Sequence, residues 1–247
     1  MKNILLITST IQPDSNVFLL KRSQVEDRLK DYQSAFRFYC SQLRNDVFYK
    51  IVYVDNSGYD LLSLKAIAQE FNLTDKVEFV SYKASTNYNK SRFYLEMNLI
   101  NYGMENSNTC SDHQDAMFWK VTGRYLIKNI HAIISEVKQP FDLYINFRNY
   151  PYKVLDFYLV GFLASNFKNT LGKNIEFYDS TEDGELILRR LIEKGAFKQF
   201  LVVTRFKHIP KIYGIRGFDN ASYSSLANQL KFSFRNVINF LLPSLYL

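Results

Sequence analysis

Two short polar stretches of this 247-residue chain combine residue types that can bind a phosphorylated ligand. The first, Asp55-Asn-Ser-Gly58, follows an apolar run and is typical of a turn at the carboxyl end of a strand, where open α/β sheets bind ligands. The second, Lys120-Val-Thr-Gly-Arg124, places two cations around a glycine. Glycine permits close approach to the backbone and arginine suits bidentate phosphate contact, so we expect a phosphate-bearing ligand.

Several common catalytic motifs are absent from the sequence. No Gly-x-Gly-x-x-Gly follows the first apolar run and no Gly-x-x-x-x-Gly-Lys-Ser/Thr occurs, which argues against a dinucleotide dehydrogenase and a P-loop enzyme. No Gly-x-Ser-x-Gly is present, so a hydrolase of that class is not indicated. The three histidines are dispersed, and Cys40 and Cys110 lack metal-like spacing, so we expect no metal site.

The polar stretches lie within alternating predicted strands and helices. The predicted strands are 2–10, 50–55, 76–81 and 116–121, and the predicted helices between them are 26–43, 61–71 and 92–105. This alternation predicts βαβ units around a mostly parallel sheet flanked by helices, an α/β fold. After Pro140 the pattern becomes irregular and aromatic, with a helix near 184–194 and a strand near 200–204. We expect this half to cover the ligand edge of the sheet.

The composition is that of a globular protein, with 47 % hydrophobic and 22 % charged residues. The longest apolar run, Val154 to Phe167, is shorter than the roughly 20 residues of a membrane span and contains Asp156. The sequence starts without a signal-peptide layout. We therefore expect a reduced, cytoplasmic protein with no transmembrane helix.

The net charge of +7 is concentrated in the C-terminal quarter of the chain. Residues 189–247 contain ten Lys or Arg and only two acids. Such a patch attracts polyanions, which could be nucleic acid, an anionic membrane surface or a diphosphate-bearing substrate. The last residues, 231–247, mix Lys231 and Arg235 with apolar side chains, as an interfacial amphipathic helix would. Docking of this helix on the protein's own core is the alternative.

The order of these features, from Lys2 to about Tyr223, resembles a GT-A-type glycosyltransferase of bacterial O-antigen, lipooligosaccharide or capsule assembly. The resemblance is carried by Ile7-Thr-Ser-Thr-Ile-Gln-Pro13, by Glu26-Asp-Arg-Leu-Lys-Asp-Tyr32 and by the Val54–Asp60 turn. It implies one GT-A-like domain at 1–230, with a nucleotide-sugar-binding half at 1–135, an irregular acceptor-side half at 136–230 and an amphipathic C-terminal helix at 231–247.

The resemblance also implies roles for individual residues on the donor side. Thr8, Thr10 and Ile11 would line the base pocket, and Asp55 with Asn56 would bind base or ribose. In the loop before the third predicted helix, Lys90 and Arg92 would contact phosphate, and Asn89 and Glu96 would contact sugar hydroxyls. Lys211 and Arg216, in the glycine-bearing stretch 208–223, could contact the diphosphate.

The fourth predicted strand departs from the pattern of most GT-A enzymes, which have an Asp-x-Asp metal motif there. This chain has Lys120-Val-Thr-Gly-Arg-Tyr instead, as does a subset of surface-polysaccharide transferases. Because a diphosphate leaving group needs positive charge, we expect Lys120 and Arg124, with Thr122 and Gly123, to replace the metal. The sequence therefore predicts little or no dependence on a divalent metal and no other cofactor.

For the acceptor side, inverting transfer needs a carboxylate that takes the proton of the acceptor hydroxyl. Thr181-Glu-Asp-Gly-Glu-Leu-Ile-Leu-Arg-Arg190 resembles the segment that supplies this base in inverting GT-A enzymes. Asp183 is the first candidate, and Glu182 and Glu185 follow closely. Acidic residues at a helix start also stabilise the helix dipole, and a retaining reaction stays open.

The resemblance implies transfer of a sugar from a nucleotide-sugar donor, UDP-hexose above all, to a glycolipid or lipid-diphosphate saccharide acceptor. The enzyme would lie on the inner face of the cytoplasmic membrane, against its anionic surface, and would bind no nucleic acid. One alternative is a sugar-phosphate nucleotidyltransferase, which normally has a Gly-rich, Arg/Lys-bearing loop where this chain has Thr10-Ile-Gln-Pro13. The other is a non-enzymatic nucleic-acid-binding protein, for which no groove-reading motif is present.

Overall fold

The computed structural model describes residues 1–14, 20–84, 90–150, 152–242 and 245. Asn89 therefore lies outside the described residues. The strands are β1 (Asn3–Ser9), β2 (Lys50–Asp55), β3 (Val77–Ser81), β4 (Met117–Thr122), β5 (Leu126–Ile127), β6 (Leu143–Arg148), β7 (Val154–Leu163), β8 (Val202–Val203) and β9 (Ile212–Tyr213). The α-helices are α1 (Val25–Arg44), α2 (Leu62–Glu70), α3 (Arg92–Asn106), α4 (Asn108–Asp112), α5 (Ile130–Ser135), α6 (Gly184–Glu193) and α7 (Leu226–Leu241).

Seven of the strands form one sheet in the order β3-β2-β1-β4-β7-β6-β8. β7 runs antiparallel to both of its neighbours, and the other adjacent pairs are parallel. The register places Ser9 beside Asp55 and Thr8 beside Thr122, so the predicted polar turns meet at one edge of the sheet. The α/β fold with a mostly parallel sheet is confirmed, and the first four strands lie within one residue of their predicted bounds.

The expectation of an irregular region after Pro140 was wrong for residues 143–163. β6 and β7 form an antiparallel pair inside the sheet, with a register shift between Tyr144 and Asn146. Both strands are buried over most of their length, and the buried polar residues Asn146 and Asp156 interrupt their aromatic runs, which hides the alternation expected of a half-exposed strand. The apolar run at Val154 belongs to β7, and no described helix is long and apolar enough to cross a membrane.

Two apolar clusters hold helices against the two faces of the sheet. On one face, α1, α2 and α5 pack on the sheet around Phe36, Tyr39 and Trp119. On the other face, α3 and α6 pack around Met97 and Phe157. Because β4 alternates its side chains between these clusters, Lys120 points into the side that α3 covers.

The C-terminal helix α7 packs on the protein through its polar face. Gln229 accepts a hydrogen bond from the Tyr213 hydroxyl at 3.1 Å, and Asn239 donates to the Lys207 carbonyl at 3.1 Å. An apolar stripe on the helix points outward, with 57–84 % of each residue exposed, and consists of Leu226, Leu230, Phe234, Val237 and Leu241. This arrangement is inverted with respect to an ordinary surface helix, which buries its apolar stripe. The helix begins at Leu226, five residues before the predicted tail.

Candidate functional site

The Asp55 carboxylate joins the ends of β1 and β2. Its Oδ2 accepts hydrogen bonds from the Ser9 hydroxyl at 2.7 Å and the Ile11 backbone N–H at 3.1 Å. Its Oδ1 accepts from the Ser57 backbone N–H at 2.8 Å and from the Ser57 hydroxyl at 2.6 Å. Asp55 is fully buried, so it fixes the loop after β1 onto the turn after β2. Its predicted contact with a base or ribose stays a prediction.

Thr10 is fixed by two side chains of α1 that had no predicted role. Arg28 donates to the Thr10 carbonyl through Nε at 2.9 Å and also through Nη2, and the Tyr32 hydroxyl accepts from the Thr10 N–H at 3.1 Å. The Thr10 hydroxyl donates to the Asn56 side-chain oxygen at 2.6 Å. Of the predicted base-pocket residues, Thr8 and Ile11 are buried and Thr10 is partly exposed. Arg28 and Tyr32 belong to the segment 26–32 that carried the resemblance.

Lys120 is fully buried and forms an ion pair with the partly exposed Glu96 of α3 at the sheet edge. Its Nζ also donates to the Phe157 carbonyl at 2.7 Å and to the Thr122 hydroxyl at 3.2 Å. Burial lowers the pKa of Lys120, and the Glu96 carboxylate opposes that shift. An ammonium has three N–H donors, and all three have protein partners here. The predicted contact of Lys120 with a phosphate is untested, and it would require these partners to be exchanged.

Glu96 is the centre of this network. Its Oε1 accepts hydrogen bonds from the hydroxyls of Thr8 at 3.4 Å and Thr122 at 3.3 Å, in addition to the Lys120 ion pair. The structure thus brings the predicted residues Thr8, Lys120 and Thr122 together around one carboxylate. The network lies at the carboxyl ends of β1 and β4.

Gly123 and Arg124 come directly after Thr122 of this network in the chain. The Gly123 N–H donates to the Thr8 carbonyl at 2.8 Å, and a Cβ at position 123 would lie 2.7 Å from that same oxygen, so no larger residue fits. The Arg124 guanidinium lies on the Tyr125 ring, 5.2 Å from its centroid. Its Nε is buried and has no hydrogen-bond partner in the described part of the chain. That donor is available to a ligand oxygen.

The loop after β9 gathers further arginines around Arg124. Gly217 lies so close that a Cβ there would be 2.7 Å from Nη2 of Arg124, and the Gly217 carbonyl accepts from the Arg22 N–H at 2.9 Å. Arg216 packs over the Phe218 ring at 5.1 Å, and Arg92 lies 6.0 Å from the same centroid. We call Arg22, Arg92, Arg124 and Arg216 the donor-side arginine cluster.

Two of these arginines and Lys90 also have acidic partners. Arg216 is paired with Asp219 at 2.6 Å, and Arg22 binds Asp31 at 2.9 Å. Lys90 forms an ion pair with Asp179 and is therefore tied to the segment that precedes α6. The predicted contact of Lys90 with phosphate remains untested.

The three candidate bases at the start of α6 have different surroundings. Asp183 is exposed and caps the helix, because its Oδ1 accepts from the Glu185 N–H at 2.9 Å. Glu182 is exposed and pairs with Arg190. Glu185 is partly buried, and its pKa is raised to about 8, by burial first and then by the nearby carboxylates Asp183, Asp156 and Glu96, while Lys120 opposes the rise.

The close packing of α6 on α3 places Glu185 next to the Lys120–Glu96 pair. A Cβ at Gly184 would lie 2.5 Å from Cδ1 of Phe93, so only glycine allows this approach. A carboxyl group with a raised pKa beside a specific charge pair is a feature of functional sites. Among the three predicted bases, Glu185 is the one that is partly buried and whose pKa is influenced by Lys120 and Glu96.

The described residues contain no group of three or more His, Cys, Asp or Glu side chains arranged to hold a metal ion. The expectation that catalysis needs no divalent metal stays a prediction.

No family model and no curated protein matches the sequence. The fold is similar to that of a solved protein from Desulfovibrio desulfuricans G20 named as a nucleotide-diphospho-sugar transferase, with a TM-score of 0.50 and 13 % identity over 97 % of this chain and 99 % of that one. The bifunctional glycosyltransferase WbbM gives a TM-score of 0.48 and 9 % identity over 82 % of this chain and 38 % of its own. A glucose-1-phosphate thymidylyltransferase from Bacillus anthracis gives 0.48 and 12 % identity over 97 % of each chain. Such identities establish the α/β fold alone.

Proposed function

We propose that this chain is a glycosyltransferase that moves a hexose from UDP-hexose to a lipid-linked surface-polysaccharide or lipooligosaccharide acceptor, with inversion and without a metal. The observation that carries the proposal is that Glu185 and Arg124 both interact electrostatically with the Lys120–Glu96 pair at one sheet edge. Glu185 is a carboxyl with a raised pKa, and Arg124 is a guanidinium whose Nε has no partner in the described residues. The chain has a fold similar to that of the Desulfovibrio desulfuricans protein that is named as a nucleotide-diphospho-sugar transferase, and this similarity is consistent with the proposed reaction.

In the proposed reaction, Glu185 accepts the proton of the acceptor hydroxyl as that oxygen attacks the anomeric carbon of the donor sugar. The bond between the anomeric carbon and the phosphate oxygen breaks, and its electron pair stays on the departing nucleoside diphosphate. Arg124 stabilises that developing charge, together with Arg216 and Arg92. Cations already in place serve here as a divalent metal would.

Lys120 has a positioning role in this proposal. Its ammonium holds Glu96, and Glu96 in turn orients the hydroxyls of Thr8 and Thr122 at the floor of the site. This pair is costly to break, because removal of Glu96 would leave the buried charge of Lys120 unpaired.

The identity of the released nucleotide tests the proposed reaction against the nucleotidyltransferase alternative. We expect incubation with UDP-hexose and a lipid-linked acceptor to release UDP and extend the acceptor by one sugar. Release of pyrophosphate from UTP and a sugar 1-phosphate would instead assign the site to the nucleotidyltransferase class. A parallel reaction without acceptor controls for hydrolysis of the donor.

The inverted helix α7 supports the part of the proposal that places the enzyme on a membrane. Its outward stripe is apolar, Lys231 is exposed, α7 contains no acidic residue, and residues 189–247 carry a basic excess. An amphipathic helix with this charge binds an anionic lipid surface by burying its apolar face in the interface. The lipid-linked acceptor would then reach the site from the membrane side.

We expect the wild-type protein to sediment with phosphatidylglycerol vesicles and much less with phosphatidylcholine vesicles. The double change Leu230→Gln with Phe234→Gln should weaken binding at least about tenfold, since each apolar side chain contributes about 1.5–3 kcal/mol when buried. Leu62→Gln is the matched control, because Leu62 is an equally exposed leucine on α2.

Equal binding by the double variant and the wild type would contradict a role of this stripe in membrane binding. A dimer in solution that the double variant abolishes would assign the stripe to a second copy of the chain instead.

A further inference from the structure

A second set of polar side chains lies near Glu185, between the sheet and helix α7. Asp156 and Tyr158 are on β7, Arg148 ends β6, and Arg235 comes from α7. Arg148 Nη2 lies 3.5 Å from Asp156 Oδ1, and the Asn146 side-chain amide donates to Asp156 Oδ2 at 3.1 Å. None of these residues was predicted to contribute to the site.

Both arginines in this set have buried donors without partners. Arg235 buries Nε and Nη2, and Arg148 buries Nε, and none of these three atoms has a hydrogen-bond partner in the part of the chain that the structure describes. Buried polar groups in native proteins are almost always hydrogen-bonded, because an unmade bond costs free energy. These three unpartnered nitrogen atoms therefore indicate that an acceptor outside the described residues completes the set.

The segment 205–207 connects β6, which ends in Arg148, to α7, which contains Arg235. The Phe206 N–H donates to Asn146 Oδ1 at 3.2 Å, and Asn239 of α7 donates to the Lys207 carbonyl at 3.1 Å. Burial raises the pKa of Tyr158 well above its usual value and Asp156 adds to the rise, whereas Arg235 and Arg148 both oppose it. Arg148 lies against Asp156, whose other oxygen Asn146 already engages, and the buried Nε and Nη2 of Arg235 have no partner in the described residues. The fork geometry of arginine favours an oxyanion, and phosphate is the group that fits it best.

Tyr223 connects this set to the donor-side arginine cluster. Its ring lies 5.3 Å from the Tyr125 ring and 5.8 Å from the Arg216 guanidinium. Burial raises the pKa of Tyr223, and Asp156 and Glu185 contribute to that rise. The unpartnered donors of Arg148 and Arg235 belong to β6 and α7, which are different elements from those of the donor-side arginine cluster.

We propose that Arg148 and Arg235 form a second oxyanion site that binds a phosphate of the acceptor. This inference rests on the proposed function, in which the acceptor is lipid-linked. Arg235 lies on the inner face of α7, while the outer face carries the apolar stripe. One helix would therefore contact the membrane on one side and the phosphate of a membrane-anchored acceptor on the other.

Calorimetric titration with inorganic pyrophosphate tests the site without knowledge of the natural acceptor. We expect the wild type to bind two pyrophosphate ions, Arg235→Gln to bind one, and Arg124→Gln to bind one. Lys231→Gln removes the same charge from the exposed side of the same helix and should still bind two. One ion in the wild type, lost in Arg124→Gln and kept in Arg235→Gln, would overturn the second site and leave the proposed function intact.

The same titration can also support the second site while it counts against the donor site. Loss of an ion in Arg235→Gln with no change in Arg124→Gln would support an oxyanion site at Arg235 and count against the donor site. A titration with glucuronate distinguishes the chemical sources of the anion. Binding of pyrophosphate and not of glucuronate would support a site for a phosphate of the acceptor. A preference for glucuronate would overturn that proposal and indicate a site for an acidic sugar.

Thermal unfolding distinguishes a binding role of Arg235 from a structural one. Because its two buried donors have no partner in the described residues, Arg235→Gln should leave the Tm unchanged or raise it by about 2–4 °C. Lost pyrophosphate binding at an unchanged or raised Tm supports the site. A clear drop in Tm with wild-type stoichiometry would show that Arg235 only stabilises the fold and would overturn the proposal.

Discussion

Glu185→Gln should lower kcat for sugar transfer by about 100- to 10,000-fold, the usual contribution of a general base. The amide cannot accept the acceptor's proton, yet it has the size of the neutral carboxyl group that burial favours at this position. We therefore expect the variant to fold with an unchanged Tm and to bind nucleotide as the wild type does. Steady-state kinetics at saturating donor would measure the loss.

Asp183→Asn is the matched comparison for this experiment. Asparagine caps helices as well as aspartate does, so the start of α6 should remain intact. We expect a change of only a few fold, since Asp183 is exposed and engaged as the cap. If Asp183→Asn were the inactive variant and Glu185→Gln the active one, the base would be Asp183, the first candidate from the sequence.

The pH profile supplies an independent test of the same residue. Because burial raises the pKa of Glu185 to about 8, the carboxyl is mostly protonated below that pH and cannot act as a base. Transfer by the wild type should therefore rise with pH through about 8 and level off above it. A profile that is flat from pH 6 to about 9 would argue against Glu185.

Arg124→Gln should lower kcat/KM for the donor by about 100- to 1,000-fold, the range for removal of one group that stabilises a developing charge. The fold should survive, because Nε has no partner in the described residues and the guanidinium lies mainly against the Tyr125 ring and Gly217. Arg124→Lys should restore only part of the loss, since lysine lacks the bidentate fork. Kinetics at varied donor concentration would give these ratios.

Lys128→Gln controls for loss of a nearby positive charge. Lys128 is exposed, and its ammonium lies over the Phe38 ring at 4.8 Å, away from the described arginine cluster. It should change kcat/KM less than about threefold, as expected of a screened surface charge. Equal losses in both variants would mean that Arg124 acts only through the overall charge of the protein.

The sequence predicted the elements that have regular apolar periodicity. β1 to β4 and the helices between them follow from apolar runs that alternate with segments of helical period. The polar turns after these strands had to meet, because the carboxyl ends of parallel strands share one edge of a sheet. β6 and β7 were missed because Asn146 and Asp156 interrupt their aromatic runs, and a run without regular periodicity cannot be distinguished from irregular chain by its pattern.

The sequence predicted which residues form the candidate site better than it predicted the contacts between them. Lys120 within an apolar strand suggested a ligand contact, but its partner Glu96 lies on a helix 24 residues earlier in the chain, and no local pattern joins them. The amphipathic pattern of α7 likewise gave the apolar stripe without showing that the polar face would pack on the protein. Which face of a helix docks depends on its tertiary neighbours, and for α7 these include Tyr213 and Lys207.

The central claim is a nucleotide-diphosphosugar site that uses arginines in place of a metal. Thermal unfolding of the wild type with UDP, in EDTA and again with added Mn²⁺, tests it most directly, since a ligand that binds only the folded state raises its Tm. We predict that UDP raises the Tm equally in both conditions and that Arg124→Gln abolishes the shift. A shift that appears only with Mn²⁺ would contradict the metal-free site, and no shift with any nucleotide or nucleotide sugar would contradict the transferase itself.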